Sequence, residues 1–100
     1  MKKYVYCYYD KVQEAFTQPL FQDLDPVQMS QGLSRAIKKG FKLDQLTQFN
    51  GLVLYHLGDF DDSTGDFVLD KRELLDCDVV LKVREEIEAS KKVEKKEGDE

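Results

Sequence analysis

The sequence predicts an α+β domain: a small antiparallel sheet of four strands, with a fifth left open, one helix packed on a face and a second helix at the C-terminus, in the order ββαββα. Three stretches carry that prediction. From Leu52 to Leu69 the chain reads LVLYHLGDFDDSTGDFVL, two apolar, aromatic-rich runs around a polar turn at Asp61–Asp66. This is a β-hairpin pattern, and Gly65 supplies the positive φ that a bulged turn needs. A run with helix start and stop signals lies between Asp25 and Gly40, and residues 3–9 (KYVYCYY) read as a strand.

Taken in order, the first strand alternates. Val5, Cys7 and Tyr9 fall on one face, and Tyr4, Tyr6 and Tyr8 fall on the other. Bulk on both faces places it inside the sheet. Asp10-Lys11 opens a turn, and Ala15 to Gln18 form a short antiparallel second strand. Pro19 ends that strand or holds it at an edge, having no N–H for the ladder; Leu20 and Phe21 then cover the core. The helix starts at Asp25 as N-cap, with Pro26 in the first position and Gln28 at capping-box spacing. Met29, Leu33, Ala36 and Ile37 make its apolar stripe. Lys38 and Lys39 suit its last turn, with Gly40 just beyond. Leu43 to Phe49 fits one short turn of helix, Leu52 to Phe60 a strand, and Phe67 to Leu69 its antiparallel return. From about Val79, the positions Val80, Val83 and Ile87 suggest a final helix capped by Asp76 or Asp78. The β-branched residues there leave strand or helix open for 79–84.

One hundred residues make a single domain. Residues 3–83 form the folded unit, and 84–100 a charged helix and tail, the last ten (KKVEKKEGDE) expected to fray. There is no run of ~18 apolar residues to span a membrane, and MKKYVYCYYD lacks the features of a signal peptide. Cytosol is the expected compartment, with Cys7 and Cys77 as two free, buried thiols.

The net charge is −5, which argues against a broad non-specific grip on nucleic acid. The cations are nevertheless clustered: Pro26 to Leu43 contains Arg35, Lys38, Lys39 and Lys42 and no acid. A small basic patch on an acidic body is expected. Together with alternating Tyr4, Tyr6 and Tyr8, it matches the recipe for single-stranded nucleic acid, aromatic rings for bases beside cations for phosphates. The competing reading is plain core packing of the tyrosines and helix-dipole stabilisation by the cations, ~0.3–1 kcal/mol each.

Other chemistry is weaker. An EF-hand register from Asp59 puts Thr64 where glycine belongs and Asp70 where a bidentate Glu belongs, between strands instead of helices; a solvated hairpin turn fits better. His56 is the sole histidine, too few ligands for zinc, and its sequence neighbours suggest a structural or partly exposed role. A dyad of His56 with Cys7 or Cys77 stays open, although neither cysteine has a nucleophile's flanks. No glycine loop cradles phosphate. No enzyme activity, cofactor, metal or small-molecule substrate is expected.

Three segments, YVYCYYD near the start, FTQPLF after the first turn and LYHLGDFDDSTGDF in the hairpin, together resemble the small nonstructural protein of the fifth reading frame of gokushovirus-type microviruses, bacteriophages with circular single-stranded DNA. The similarity covers residues 3–70, and LGDFDD (57–62) is its most specific part. The resemblance implies a non-capsid phage protein in the cytoplasm of the infected bacterium. It implies an accessory or regulator of viral single-stranded DNA synthesis or packaging that binds single-stranded DNA or the replication initiator, without cofactor or catalytic residues. Asp59, Asp61 and Asp62 match the motif and are read as turn geometry. The chain departs from the family at Ile37, where an aromatic is often seen two positions after the arginine matching Arg35, and in continuing past residue 85. The alternative is a protein-interaction adaptor that touches no DNA. A sheet with one apolar face could also form a homo-oligomer through that face or an edge strand.

Overall fold

The computed structural model describes the backbone of residues 1–98 and side chains through Lys91. It is an α+β fold: a five-stranded antiparallel sheet with helical segments layered on one face. The strands are β1 (Lys2–Asp10), β2 (Ala15–Phe16), β3 (Leu20–Gln22), β4 (Leu52–Asp61) and β5 (Phe67–Asp76). β1 and β4 are central, β5 forms one edge, and β2 and β3 share the other edge of β1. Helix α1 (Pro26–Arg35) runs into a π turn (Ala36–Gly40), a 3₁₀ helix (Leu43–Phe49) precedes β4, and α2 (Cys77–Gly98) follows β5.

Local sequence rules explain most boundaries. Asp25 caps α1 with a complete capping box: its side chain accepts from the Gln28 N–H at 2.8 Å, and Gln28 accepts from the Asp25 N–H at 3.1 Å. Asp10 builds the first turn by accepting from the Val12 and Gln13 N–H groups. Gly65 takes φ +79° in the hairpin turn, which Asp61 closes by accepting from the Ser63 N–H at 2.9 Å.

The structure corrects several expectations. The second strand is split. Ala15–Phe16 pairs with Asp10 and Tyr9, the chain then slips past Pro19, and Leu20–Gln22 rejoins β1 opposite Tyr6 to Tyr4. The missing proline N–H is the physical cause, and this split supplies the fifth strand. Leu20 and Phe21 do not sink into the core beneath the helices; both are exposed, and the Phe21 ring stands edge-on to Phe60. Residues 79–84, left open between strand and helix, are helix, in keeping with the C-terminal helix of the predicted order. β5 runs on to Asp76 where a return only to Leu69 was expected; its bulges against β4 hide the period-two pattern. The division placed between Val83 and Arg84 falls within α2, and Arg84 is buried. The tail expected to fray lies largely outside the described side chains, and residues 99 and 100 lie outside the description.

The helical layer closes on Ile37, Leu46, Phe49, Cys77 and Val80, with Tyr8, Leu52 and Leu75 of the sheet packed against them. Arg84 locks it. Its Nη1 donates to the carbonyls of Ile37 and Phe41, each at 3.0 Å, and its Nε donates to Glu88 at 2.9 Å. One carbonyl lies in the last four residues of the π turn and the other just beyond it, where helix carbonyls lack intrahelical donors. On the far side of the sheet, Gly58 makes room for Phe67. A Cβ there would sit 2.2 Å from the Val68 carbonyl oxygen and 2.8 Å from the Phe67 ring.

Two stability effects follow. Arg84→Met leaves two carbonyls without donors and lowers unfolding free energy by about 3 kcal/mol in urea titrations. Gly58→Ala forces β4 and β5 apart and costs about 2 kcal/mol in the same assay; a neutral result would mean the strands separate freely at that point.

Candidate functional site

The four predicted cations sit where α1 gives way to the π turn. In that turn the Phe41 N–H donates to the Ala36 carbonyl at 2.8 Å, an i→i+5 bond. The turn buries Ile37 completely while leaving Arg35 and Lys39 exposed and Lys38 half-buried. Arg35, Lys38 and Lys39 line one open cleft of about 600 Å³ between α1 and the end of β5, together with Ser30, Gln31, Ser34, Leu74 and Leu75. No carboxylate is among the lining residues. Among the described residues, none of the three cations is held in an ion pair. Lys42 is exposed at the start of the 3₁₀ helix, where its N–H donates to Gln45, and it is not part of the cleft.

The tyrosines do not join these cations in a stacking platform. Tyr4, Tyr6 and Tyr8 do share a face, as their alternation requires, but it is the face beneath the helices. Tyr6 has 0% of its surface exposed, and its hydroxyl donates to the Leu24 carbonyl at 2.6 Å, just before the α1 cap. Burial pushes its phenol up to about 12. Tyr8 packs against the helical core, and burial raises its phenol too. Tyr4 is half-buried, with Lys2 over its ring and His56 beside it. Core packing therefore accounts for the tyrosine stripe.

The accessible aromatic rings lie elsewhere. On the opposite face, Phe16 stands edge-on between Tyr9 and Tyr55, with ring centroids at 4.8 and 5.3 Å, and the Lys71 ammonium lies 4.5 Å from its centroid. This contact follows from the pairing of Phe16 with Tyr9, and two-residue strands are not readable from period.

His56 is 1% exposed, at a bulge in β4 between the Tyr4 and Tyr6 rings. Its Nε2 is 3.0 Å from Asp59, and its buried Nδ1 has no hydrogen-bond partner, the nearest carboxylate being Asp70 at 3.7 Å. Burial pushes the Asp59 carboxyl up, but the hydrogen bonds from Lys2 and His56 outweigh this and hold it below the ordinary range. Neither thiol is poised as a nucleophile beside this imidazole. Burial raises Cys7, and it pushes Cys77 up to about 11. The hairpin acids serve the fold: Asp62 and Asp61 bind the Met1 ammonium, and Asp59 binds Lys2 at 3.0 Å. Among the described residues no group of three or more His, Cys, Asp or Glu side chains is placed to hold a metal ion. No helix there is long and apolar enough to cross a membrane. Comparisons with protein-family models, curated proteins and solved structures returned no match to the chain.

The depressed Asp59 carboxyl sets a pH dependence. Its contribution to stability is complete above the unfolded-state value of about 3.9 and is lost as pH falls through the lower folded-state value. Urea midpoints of the wild type should therefore fall on acidification below about pH 4, and Asp59→Asn should fall less steeply while being less stable at pH 7. Parallel acid limbs would show that Asp59 gains nothing from Lys2 and His56.

Proposed function

We propose that this chain is a small non-catalytic binding protein of a single-stranded-DNA phage, acting in the cytoplasm of the infected bacterium as an accessory in single-stranded DNA synthesis or packaging. It holds the DNA backbone in the cleft beneath α1. The observation that carries this reading is the convergence of Arg35, Lys38 and Lys39, unpaired, with the hydroxyl residues Ser30 and Ser34 in one cleft without a carboxylate, on a chain of net charge −5. Cations in a protein with surplus acid normally find partners. Three left free and pointed into one cleft suit a ligand that brings its own negative charge, and the Ser34 hydroxyl can donate to a phosphate oxygen, whereas the Ser30 hydroxyl already donates to the Val27 carbonyl at 3.2 Å. The cleft is open and short, which suits a flexible strand better than a rigid duplex. The likeness of YVYCYYD, FTQPLF and LYHLGDFDDSTGDF to the microvirus protein supports the phage setting.

The protein-interaction adaptor is the second reading, favoured by the exposed aromatic side chains on the far face of the sheet.

A fluorescent single-stranded oligonucleotide titrated with the full chain tests the proposal. Three neutralised phosphates at about 0.7 each give a slope of log K against log salt of about −2. The triple variant Arg35→Glu, Lys38→Glu, Lys39→Glu should weaken binding at least about tenfold, whereas Lys42→Glu changes it little. No binding at low salt refutes direct DNA contact, and unchanged binding by the triple variant moves the site elsewhere.

A further inference from the structure

The helices cover only the sheet face that carries Tyr6, Tyr8, Leu54 and Leu75. Successive strand residues point to opposite faces, so Val5, Cys7, Tyr9, Val53 and Tyr55 point the other way. Among the described residues no helix lies over them, yet Val5, Cys7 and Val53 are buried. Their cover is a layer of half-open side chains. At one end Phe16, 45% exposed, leans on Tyr9 and Tyr55. At the other, Phe21 meets Phe60, and Phe67 sits over Gly58 beside Leu69, which is 75% exposed. Aromatic side chains dominate the energetics of buried interfaces, and monomers rarely leave an apolar patch of this extent open.

We propose that this face is the interface of a two-fold symmetric dimer of the chain. Two observations select a second copy as the occupant. The first is charge. Lys71, over the Phe16 ring, and Glu73, paired across the ladder with Tyr55, share this face, and among the described residues neither is held in an ion pair. A two-fold axis lying in the plane of the interface, perpendicular to the strands and passing between Lys71 and Glu73, turns the open faces toward each other and sets each Lys71 against Glu73 of the other copy, the self-complementarity that an isologous contact demands. A nucleic acid would meet no surplus of positive charge here, since Lys3, the other cation on this face, is bound to Asp23. The second is size. Four strands ~4.8 Å apart and about eight residues at ~3.3 Å give a footprint of about 26 × 19 Å. Projecting rings raise its accessible area toward the ~800 Å² per partner that a stable interface buries. The DNA cleft lies on the other face, so dimerisation leaves it open.

Sedimentation equilibrium of the full chain from about 1 to about 100 µM tests this independently of DNA binding. The wild type should be dimeric, and Phe16→Glu should be monomeric with unchanged circular dichroism. Leu69→Glu, at a site already open to water, gives the same readout should Phe16→Glu fail to fold. Lys71→Glu and Glu73→Lys should each weaken association at least about tenfold, and combining them should restore it. A wild type that stays monomeric overturns the proposal, including the case in which Phe16→Glu then abolishes oligonucleotide binding and marks the face as a base-stacking surface. Dimers that survive Phe16→Glu and Leu69→Glu also overturn it, by placing the contact elsewhere, such as the β5 edge.

Discussion

The helical layer depends on one buried guanidinium. A helix that ends in a π turn leaves carbonyls without N–H partners, and burying that end without donors would be costly. Arg84 reaches from α2 to the Ile37 and Phe41 carbonyls and so caps one helix with a side chain of another. The bond joins segments more than forty residues apart in the chain. It fixes the turn that sinks Ile37 and lifts Arg35, Lys38 and Lys39 toward the cleft. Glu88, accepting from the Arg84 Nε, orients the fork, and the hydrogen bond from Arg84 lowers the Glu88 carboxyl. Packing of the layer and placement of the cations are thus one problem with one solution.

How much of this is legible in the sequence follows from the range of each interaction. Short-range chemistry reads well. Asp25, Pro26 and Gln28 start α1 as their spacing requires, Asp10 makes its turn, and Gly65 takes its positive φ. The alternation of β1 is also right, but which face lies under the helices is not local information. That is why Tyr4, Tyr6 and Tyr8 could be assigned to one face without revealing that the face is covered. The basic cluster was visible as composition; its convergence with Ser30 and Ser34 needed the fold. The Phe16–Tyr55 contact, the role of Arg84 and the second half of β5 were hidden for a related reason. They rest on two-residue pairings, a long-range cap and a bulged edge strand whose charged run, Asp70 to Glu73, masks its period.

The hairpin run LGDFDD is tied to the architecture almost throughout. Gly58 is a seat for the Phe67 ring, Asp59 holds Lys2 and His56, Phe60 meets Phe21, and Asp61 and Asp62 bind the Met1 ammonium. Five of its six residues, Gly58 to Asp62, have a duty to the architecture, so this run specifies a scaffold.

The two thiols lie on either side of the sheet. Cys7 is under the aromatic layer of the open face, and Cys77 is sealed beneath the helices with its thiol pushed up to about 11. An alkylating reagent at neutral pH can reach them only when their cover lifts. The chain therefore carries two intrinsic chronometers, one reporting exposure of the bare side of the ribbons and the other detachment of the roof, and their relative rates would reveal whether this small protein breathes as one body or as two leaves.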